Sequence, residues 1–202
     1  MIGIVDYNMG NLRSVQKAFD RIGAPAKIAA NVDAVAACRK LVLPGVGNFS
    51  KAVNILKSNG LFDELNRAVK IRKVPILGIC LGMQLMADFS EEGGVNGFGW
   101  IKAQVSRFSF SQKNLRVPHM GWNRLLIQND NTLFKGIDPD NFYYFVHSYY
   151  IKCANQGDIL SETDYGNTFV SAFRHENIYG CQFHPEKSHD AGLKILKNFA
   201  DL

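Results

Sequence analysis

The sequence predicts an α/β fold in which helices flank a central, mainly parallel sheet, with antiparallel strands appended to it. Over residues 1–85, short apolar runs alternate with stretches whose apolar residues recur at helical spacing. Such alternation favours a parallel sheet, because parallel strands need a crossover helix between them. Between residues 97 and 170 the apolar runs are shorter and richer in aromatic residues, as in Asn-Phe-Tyr-Tyr-Phe-Val-His-Ser-Tyr-Tyr at 141–150, which is typical of antiparallel pairs.

Each element of the parallel part is predicted from a local signal. Asn11 can cap the first helix, and Gly23 with Pro25 ends it, because proline cannot continue a helix. Strands are expected where apolar residues are continuous, since both faces of a parallel sheet are covered. The expected elements, in chain order, are a strand at 2–5, a helix at 12–22, a strand near 26–29, a small helix at 32–38, a strand at 41–43, helices across 53–69, a strand beginning near 74 that runs into a helix, a returning strand at 178–183, and a closing helix with the apolar stripe Leu193, Leu196 and Phe199.

Length and composition exclude several classes of protein. We expect one domain over residues 1–202, because a chain of this length with 47% hydrophobic and 20% charged residues can bury a substantial core. The net charge of +5 comes from scattered basic residues, which argues against nucleic-acid binding. No apolar run reaches the roughly 18 residues of a membrane span, and the N-terminus lacks the pattern of a signal peptide. The four cysteines form no CxxC pair, so we expect a reduced cytoplasmic protein.

The strongest functional signal surrounds Cys80. The run Gly78-Ile-Cys80-Leu-Gly82 lies where a buried strand passes directly into a helix, which is the pattern of a nucleophile elbow with cysteine as the nucleophile. The flanking glycines leave room for the crowded turn, and the Leu81 N–H at the helix start can stabilise an oxyanion. An isolated buried cysteine is more often a small core residue, but the two glycines favour a nucleophile here.

A base for this thiol lies far downstream, in Gln182-Phe-His-Pro-Glu186. His184 can take the thiol proton, and Glu186 can orient the imidazole and stabilise its charged form. The carboxyl ends of parallel strands gather at one edge of a sheet, so Cys80, His184 and Glu186 are the candidate catalytic residues. Cys181-x-x-His184 could also bind a metal, but no second ligand pair has suitable spacing, and neither a metal nor another cofactor is expected.

A second glycine-rich turn, Pro44-Gly-Val-Gly-Asn48, follows the third strand and precedes a helix. Its backbone N–H groups form a natural cradle for an anion, but the turn lacks the lysine and the full glycine spacing of a phosphate loop. With a cysteine elbow nearby, we interpret the turn as the second wall of an oxyanion hole.

Together these motifs resemble the class I glutamine amidotransferases, and the resemblance covers nearly the whole chain. The cysteine elbow and the His-Pro-Glu run are typical of the class, whereas Pro118-His-Met-Gly-Trp-Asn123 is similar to one branch, the glutaminase subunits of imidazole glycerol phosphate synthases. The resemblance implies hydrolysis of glutamine to glutamate and ammonia through a thioester on Cys80, with His184 as the base and Glu186 as the orienting acid. The stretches that carry it are residues 6–12, 43–47, 78–84, 118–123, 147–149 and 183–188.

The resemblance also implies roles for residues around the triad. The oxyanion residues are expected to be Val46, Gly47 and Leu81. The residues expected to frame the glutamine substrate are Gly45, Gln84, Glu92, His147, Ser148 and Tyr149. Gln84 lies one helical turn beyond Cys80, which suits a substrate contact better than a solvated position.

Members of this branch are heterodimers with a (β/α)8-barrel cyclase subunit that receives the ammonia internally, for histidine biosynthesis. Such glutaminases are nearly inactive until the partner carries its ligand, and the glycine-rich turn at 44–47 is where we expect the switch. The expected partner interface is a segment predicted to be a loop, which contains Pro118, His119, Met120, Trp122 and Asn123. The alternative for Trp122 is that it belongs to the core of a hairpin.

Three other functions stay open from the sequence. The segment at 178–189 also resembles relatives that supply ammonia to an amidino-sugar synthase in bacterial surface-polysaccharide biosynthesis. A cysteine peptidase or related hydrolase on the same fold would not need Gln84, Glu92 or the segment after Pro118. A non-catalytic binding module would not need a complete Cys-His-Glu set.

Overall fold

The structure, a computed structural model that describes residues 1–110, 115–128 and 132–202, has the predicted α/β architecture. The strands are β1 (Ile2–Val5), β2 (Ala26–Ala29), β3 (Lys40–Gly45), β4 (Ile76–Cys80), β5 (Phe89–Ser90), β6 (Val95–Asn96), β7 (Ala103–Arg107), β8 (His119–Arg124), β9 (Leu126–Ile127), β10 (Phe142–His147), β11 (Tyr149–Cys153), β12 (Ile159–Tyr165), β13 (Asn167–His175) and β14 (Ile178–Cys181). The α-helices are α1 (Leu12–Arg21), α2 (Val32–Ala36), α3 (Phe49–Ser58), α4 (Leu61–Asn66), α5 (Leu81–Gln84) and α6 (His189–Asp201). A π-helical turn at Arg67–Ile71 follows α4, and 3-10 turns lie at Gln156–Asp158 and Pro185–Lys187.

The strands form one large sheet and one small sheet. In the large sheet β2, β1, β3, β4 and β14 are neighbours in that order and run parallel. Beyond β14 the sheet continues through the antiparallel strands β13, β11 and β7, so the predicted change from parallel to antiparallel pairing is confirmed. The small sheet consists of β8 and β10 in antiparallel pairing. The aromatic run at 141–150 is therefore divided, because β10 belongs to the small sheet and β11 to the large one.

Two apolar clusters cover the two faces of the parallel strands. Leu41 and Leu43 of β3 pack on the side of α3 and α4, whereas Val42 between them packs on the side of α1 and α6. Successive side chains of a strand point to opposite faces, so burial of both faces requires the continuous apolar runs from which the strands were predicted. In the described ranges no helix is long and apolar enough to cross a bilayer, and all four cysteines are free thiols.

Several local predictions need correction. The Asn11 side chain makes no capping hydrogen bond, since its backbone (φ −84°, ψ 65°) lacks the extended geometry of Asn31 and Asn48, whose side chains do cap α2 and α3. β3 continues to Gly45, so the turn after it is shorter than predicted. The helix expected at 32–38 ends at Ala36, and the helical pattern across 53–69 is divided between α3, α4 and the π-helical turn.

Candidate active site

Cys80 lies at the junction of β4 and α5, with φ of 54° and ψ of −110°. Residues with a side chain rarely adopt this conformation, which costs about 1–3 kcal/mol and is typical of functional positions. The predicted need for the flanking glycines is confirmed. A Cβ at Gly82 would lie 1.7 Å from the Leu43 carbonyl oxygen, and one at Gly78 would lie 2.7 Å from the Met83 backbone.

Cys80 is only 6% exposed, and within the described ranges its thiol takes part in two hydrogen bonds. The thiol donates to the Val146 carbonyl oxygen at 3.9 Å, and the Gln182 Nε2–H donates to Sγ at 3.6 Å. β14 runs parallel to β4 with Cys181 opposite Ile79, which brings the segment containing Gln182 and His184 to the same sheet edge as the elbow. The predicted convergence of strand ends therefore places these residues around Cys80.

His184 and Glu186 form a buried pair beside this thiol. The Nδ1 of His184 lies 2.9 Å from Glu186 Oε1, and the two side chains are 2% and 1% exposed. A carboxylate only accepts hydrogen bonds, so Nδ1 carries the proton and Nε2 remains to exchange one with Cys80. Within the described ranges, Nε2 makes no hydrogen bond. Burial alone lowers the pKa of His184, but the Cys80 thiolate and then Glu186 outweigh it and raise that pKa to about 10.

Backbone contacts fix the position of His184. Its N–H donates to the Tyr144 carbonyl oxygen at 2.9 Å, and its own carbonyl oxygen accepts from the Ser188 hydroxyl at 2.6 Å. Pro185 begins a 3-10 turn, where its fixed φ is compatible with the backbone and its missing N–H costs nothing. The small sheet, through Tyr144, thus helps to hold the base.

A cavity of about 330 Å³ opens beside Cys80. It lies at the lower end of the range of about 300–1,000 Å³ for small-molecule sites. Its lining residues are Val46, Gly47, Cys80, Leu81, Gln84, Glu92, Pro118, Val146, His147, Ser148 and Tyr149. Of the residues expected to frame the substrate, only Gly45 is absent from this lining: it pairs with Cys80 at the end of β3, where an added Cβ would lie 2.9 Å from the Gly82 nitrogen.

Two residues expected to contact substrate also hold the cavity walls. The Gln84 side chain is buried rather than solvated, and its Nε2 donates to the Tyr149 carbonyl oxygen and to Gln182 Oε1, both at 2.9 Å. Glu92 Oε2 accepts from the Phe49 N–H at 2.8 Å, at the first residue of α3. Glu92 therefore holds one end of the turn that carries Val46 and Gly47.

The two backbone N–H groups expected to bind the oxyanion, those of Leu81 and Val46, lie in different environments in this structure. The Leu81 N–H is the first of α5, at a helix N-terminus beside Cys80. The Val46 N–H instead donates to the Met9 carbonyl oxygen at 2.9 Å, so it is already engaged and can serve an oxyanion only after its peptide rotates. The neighbouring Gly47 has φ of 105°, a value that glycine adopts without strain.

Four of the five residues expected at the partner interface lie in strand β8 rather than in a loop, and Pro118 directly precedes that strand. Met120 and Trp122 are 62% and 46% exposed and Pro118 is exposed, while Asn123 is half-buried. The exposure of Trp122 excludes the alternative that it is hairpin core. The expectation for His119 is wrong, since it is 3% exposed and stacks on Tyr165 on the inner side of the strand. Alternation of side chains along the strand explains the difference.

The sequence reasoning missed Gln182 and the buried pair formed by His119 and His147. The Nδ1 of His119 lies 3.0 Å from Nε2 of His147. Gln182 could have been found from its place in the same run as His184, whereas nothing in the sequence indicates that the two histidines meet. Within the described ranges, no group of three His, Cys, Asp or Glu side chains is placed to hold a metal ion.

The family model for glutamine amidotransferase class-I matches residues 4–202. The chain belongs to this family. Among curated relatives, proteins named imidazole glycerol phosphate synthase subunit HisH are 49% identical in Sulfurimonas denitrificans (98% of this chain and 97% of the relative) and 41% identical in Leptospira borgpetersenii (all of both chains). Another in Campylobacter jejuni, with the same name numbered 1, is 46% identical over all of both chains.

Solved structures of the class share the fold at low identity. A crystal structure of a glutamine amidotransferase matches with a TM-score of 0.77 and 19% identity, covering 100% of this chain and 99% of that one. The structure of PurLQS from Thermotoga maritima matches with a TM-score of 0.72 and 17% identity, covering 99% and 97%. Membership of the class I amidotransferases argues against the peptidase and binding-module alternatives.

Proposed function

We propose that the chain is the glutaminase subunit of an imidazole glycerol phosphate synthase. It hydrolyses L-glutamine to glutamate and ammonia and passes the ammonia to a cyclase subunit. The observation that carries the proposal is the placement of Cys80 and the His184–Glu186 pair at one small cavity, in a chain that is 41–49% identical to subunits bearing that name. These relatives favour this acceptor over an amidino-sugar synthase.

The geometry supports a two-step acyl transfer. The Cys80 sulfur loses its proton to His184 and forms a C–S bond with the side-chain amide carbon of glutamine. His184 then gives that proton to the leaving nitrogen as the C–N bond breaks, and ammonia departs. Water attacks the resulting thioester, His184 takes its proton, and the C–S bond breaks to release glutamate. Glu186 keeps Nδ1 protonated throughout, which leaves Nε2 to carry the transferred proton.

The conformation described above supports low activity of the free subunit. Each tetrahedral intermediate carries an oxyanion, and loss of one donor from such a hole costs about 10²–10³ in turnover. Leu81 supplies one donor, whereas the Val46 N–H faces Met9. Partner binding is proposed to rotate the Gly45–Val46 peptide. If Gly47→Ala kept the full partner-dependent stimulation, this turn would not be the switch.

The exposed face of the small sheet is the proposed docking surface for the cyclase in a heterodimer. Met120, Trp122 and Phe142 are large apolar residues that are 62%, 46% and 47% exposed on this pair of strands. Aromatic residues and methionine are enriched at protein interfaces, and Trp122 is further held by stacking on His189 at 4.9 Å. Docking here would also keep ammonia from bulk water, where it is protonated and lost as a nucleophile.

The decisive experiment measures glutamate release from glutamine by the chain alone and with the barrel subunit and its nucleotide ligand. Strong stimulation by the liganded barrel is expected. Cys80→Ala should abolish glutamine use and leave the ammonia-dependent reaction of the complex intact; loss of both would mean that Cys80 mainly supports the fold or interface. Hydrolysis that the liganded barrel does not stimulate would support the glutaminase activity and refute the barrel subunit as the partner.

A further inference from the structure

The Gln182 side chain contacts the catalytic thiol but has no role in the mechanism above. It is fully buried, and its Nε2–H points at Cys80 Sγ from 3.6 Å. At its other end, Oε1 accepts from Gln84 Nε2 at 2.9 Å. A neutral thiol is a weak hydrogen-bond acceptor, whereas a thiolate is a strong one. A buried N–H group that points at this sulfur is therefore better satisfied when the sulfur is ionised.

One backbone carbonyl group determines which end of the Gln182 amide faces the sulfur. The Tyr149 oxygen can only accept, so the Gln84 amide must present its NH2 group to it. The second N–H of that group then points at Gln182, which must present its oxygen in return. The NH2 end of Gln182 is left to face Cys80. The direction of each amide thus follows from the preceding one.

The histidine pair supplies a second donor to the same carbonyl oxygen. The Nδ1 of His147 lies 2.8 Å from the Tyr149 oxygen, so Nδ1 carries a proton and Nε2 accepts from His119 Nδ1 at 3.0 Å. Burial lowers the pKa of His147 to about 3 and that of His119 to about 4, so both rings are neutral and each holds one tautomer. The Tyr149 oxygen accepts from two fixed donors, which prevents the amides from reversing.

We propose that Gln182 is a further catalytic residue, which binds the Cys80 thiolate through its Nε2–H. Before ionisation the thiol donates to the Val146 oxygen and accepts from Gln182. When the proton passes to His184, the sulfur becomes a pure acceptor, and the hydrogen bond from Gln182 becomes a stronger, charge-assisted one. The gain is therefore larger for the thiolate than for the thiol, which favours the nucleophilic form. This inference rests on the proposed function only in its consequence for turnover.

The test is the pH dependence of Cys80 alkylation by iodoacetamide, with peptide mapping of the label. Burial raises the pKa of the thiols of Cys38, Cys153 and Cys181, so they compete weakly near neutral pH. Gln182→Met keeps the volume and removes the donor. It should move the midpoint of the profile up by about one pH unit and slow alkylation about tenfold below the midpoint. Gln182→Glu places an acceptor against the sulfur and should move the midpoint further.

Two controls separate this effect from a structural one. Gln16→Met removes an amide that donates to the Ala26 oxygen at 3.0 Å, away from the site, and should leave the profile unchanged. With the activating partner, Gln182→Met should lower kcat about as much as kcat/KM, because Gln182 is absent from the residues that line the cavity. The wild-type protein gives a measurement independent of variant folding: the Gln182 side-chain amide resonances should titrate with the alkylation midpoint.

A Gln182→Met profile that superimposes on the wild-type profile would overturn the proposal, as would amide resonances that ignore the titration of Cys80. Either result would leave the glutaminase intact if partner-stimulated glutamate release persists. Failure of the proposed function has a different signature, namely no glutamate release with the liganded barrel and no labelling of Cys80 by a glutamine-like electrophile, whatever the pH profile of iodoacetamide labelling.

Discussion

Replacement of Cys80 by glycine should give a more stable protein than replacement by alanine, which reverses the usual order. Both variants lose the same sulfur, so the difference between them isolates the backbone. With φ of 54° and ψ of −110°, a residue with a Cβ stores about 1–3 kcal/mol that glycine does not. Glycine costs about 0.5–1 kcal/mol more than alanine in lost chain entropy. We therefore expect the free energy of unfolding of Cys80→Gly to exceed that of Cys80→Ala by about 1 kcal/mol, which corresponds to a Tm higher by about 2–4 °C for a chain of this size.

The assay is urea unfolding of both variants in one buffer, supported by calorimetry. The matched control is the same pair of substitutions at Cys153, a half-buried strand residue whose φ is negative. There the alanine variant should be the more stable by about 0.5–1 kcal/mol. If the glycine variant is the less stable one at Cys80 as well, the backbone of the elbow stores no strain at this position, and the reasoning is refuted.

Three further predictions concern packing and ionisation. Gly82→Ala should lose at least about 1–3 kcal/mol in urea unfolding and nearly all glutaminase activity, because the new Cβ meets the Leu43 oxygen at 1.7 Å; wild-type stability would contradict the packing. The pKa of His184 is raised from 6.5 to about 10, so the stability from its charge is complete below pH 6.5 and is lost as the pH rises through about 10, and Glu186→Gln should show a smaller loss over that interval. The pKa of His119 is lowered from 6.5 to about 4, so between these values the unfolded state binds a proton that the folded state does not, and stability should fall as the pH is lowered from 6.5 to 4. His119→Gln should reduce the slope of the free energy of unfolding against pH by about 1.4 kcal/mol per pH unit, and an unchanged slope would refute the assignment.

The parallel half of the fold could be predicted from the sequence because each signal there is local. β1 and β2 occupy the predicted ranges of residues, and the requirement for Gly78 and Gly82 follows from the crowding of a strand that passes directly into a helix. The boundaries that failed depend on longer-range effects. β3 extends to Gly45 because β4 continues beside it and pairs Gly45 with Cys80. The sequence of one strand does not show where the adjacent strand ends.

The antiparallel half was predicted only in outline, for the same reason. The aromatic run at 141–150 indicates strands but not that they belong to different sheets. The motif at 118–123 predicts a loop with His119 on the partner face, but the segment from 119 is a strand, and alternation along β8 buries the His119 side chain. The meeting of His119 with His147 depends on the pairing of β8 with β10, which hydrophobic pattern alone does not fix.

The wall of the cavity belongs to two sheets at once. β10 ends at His147 in the small sheet, β11 begins at Tyr149 in the large one, and Ser148 alone joins them. All three residues line the cavity. The small sheet carries the exposed Trp122 side chain, and through the Tyr144 carbonyl oxygen it also accepts the N–H of His184, so the exposed face, the cavity wall and the catalytic base share one pair of strands. Any shift of these two strands relative to the large sheet would therefore act on the cavity wall and on His184 together.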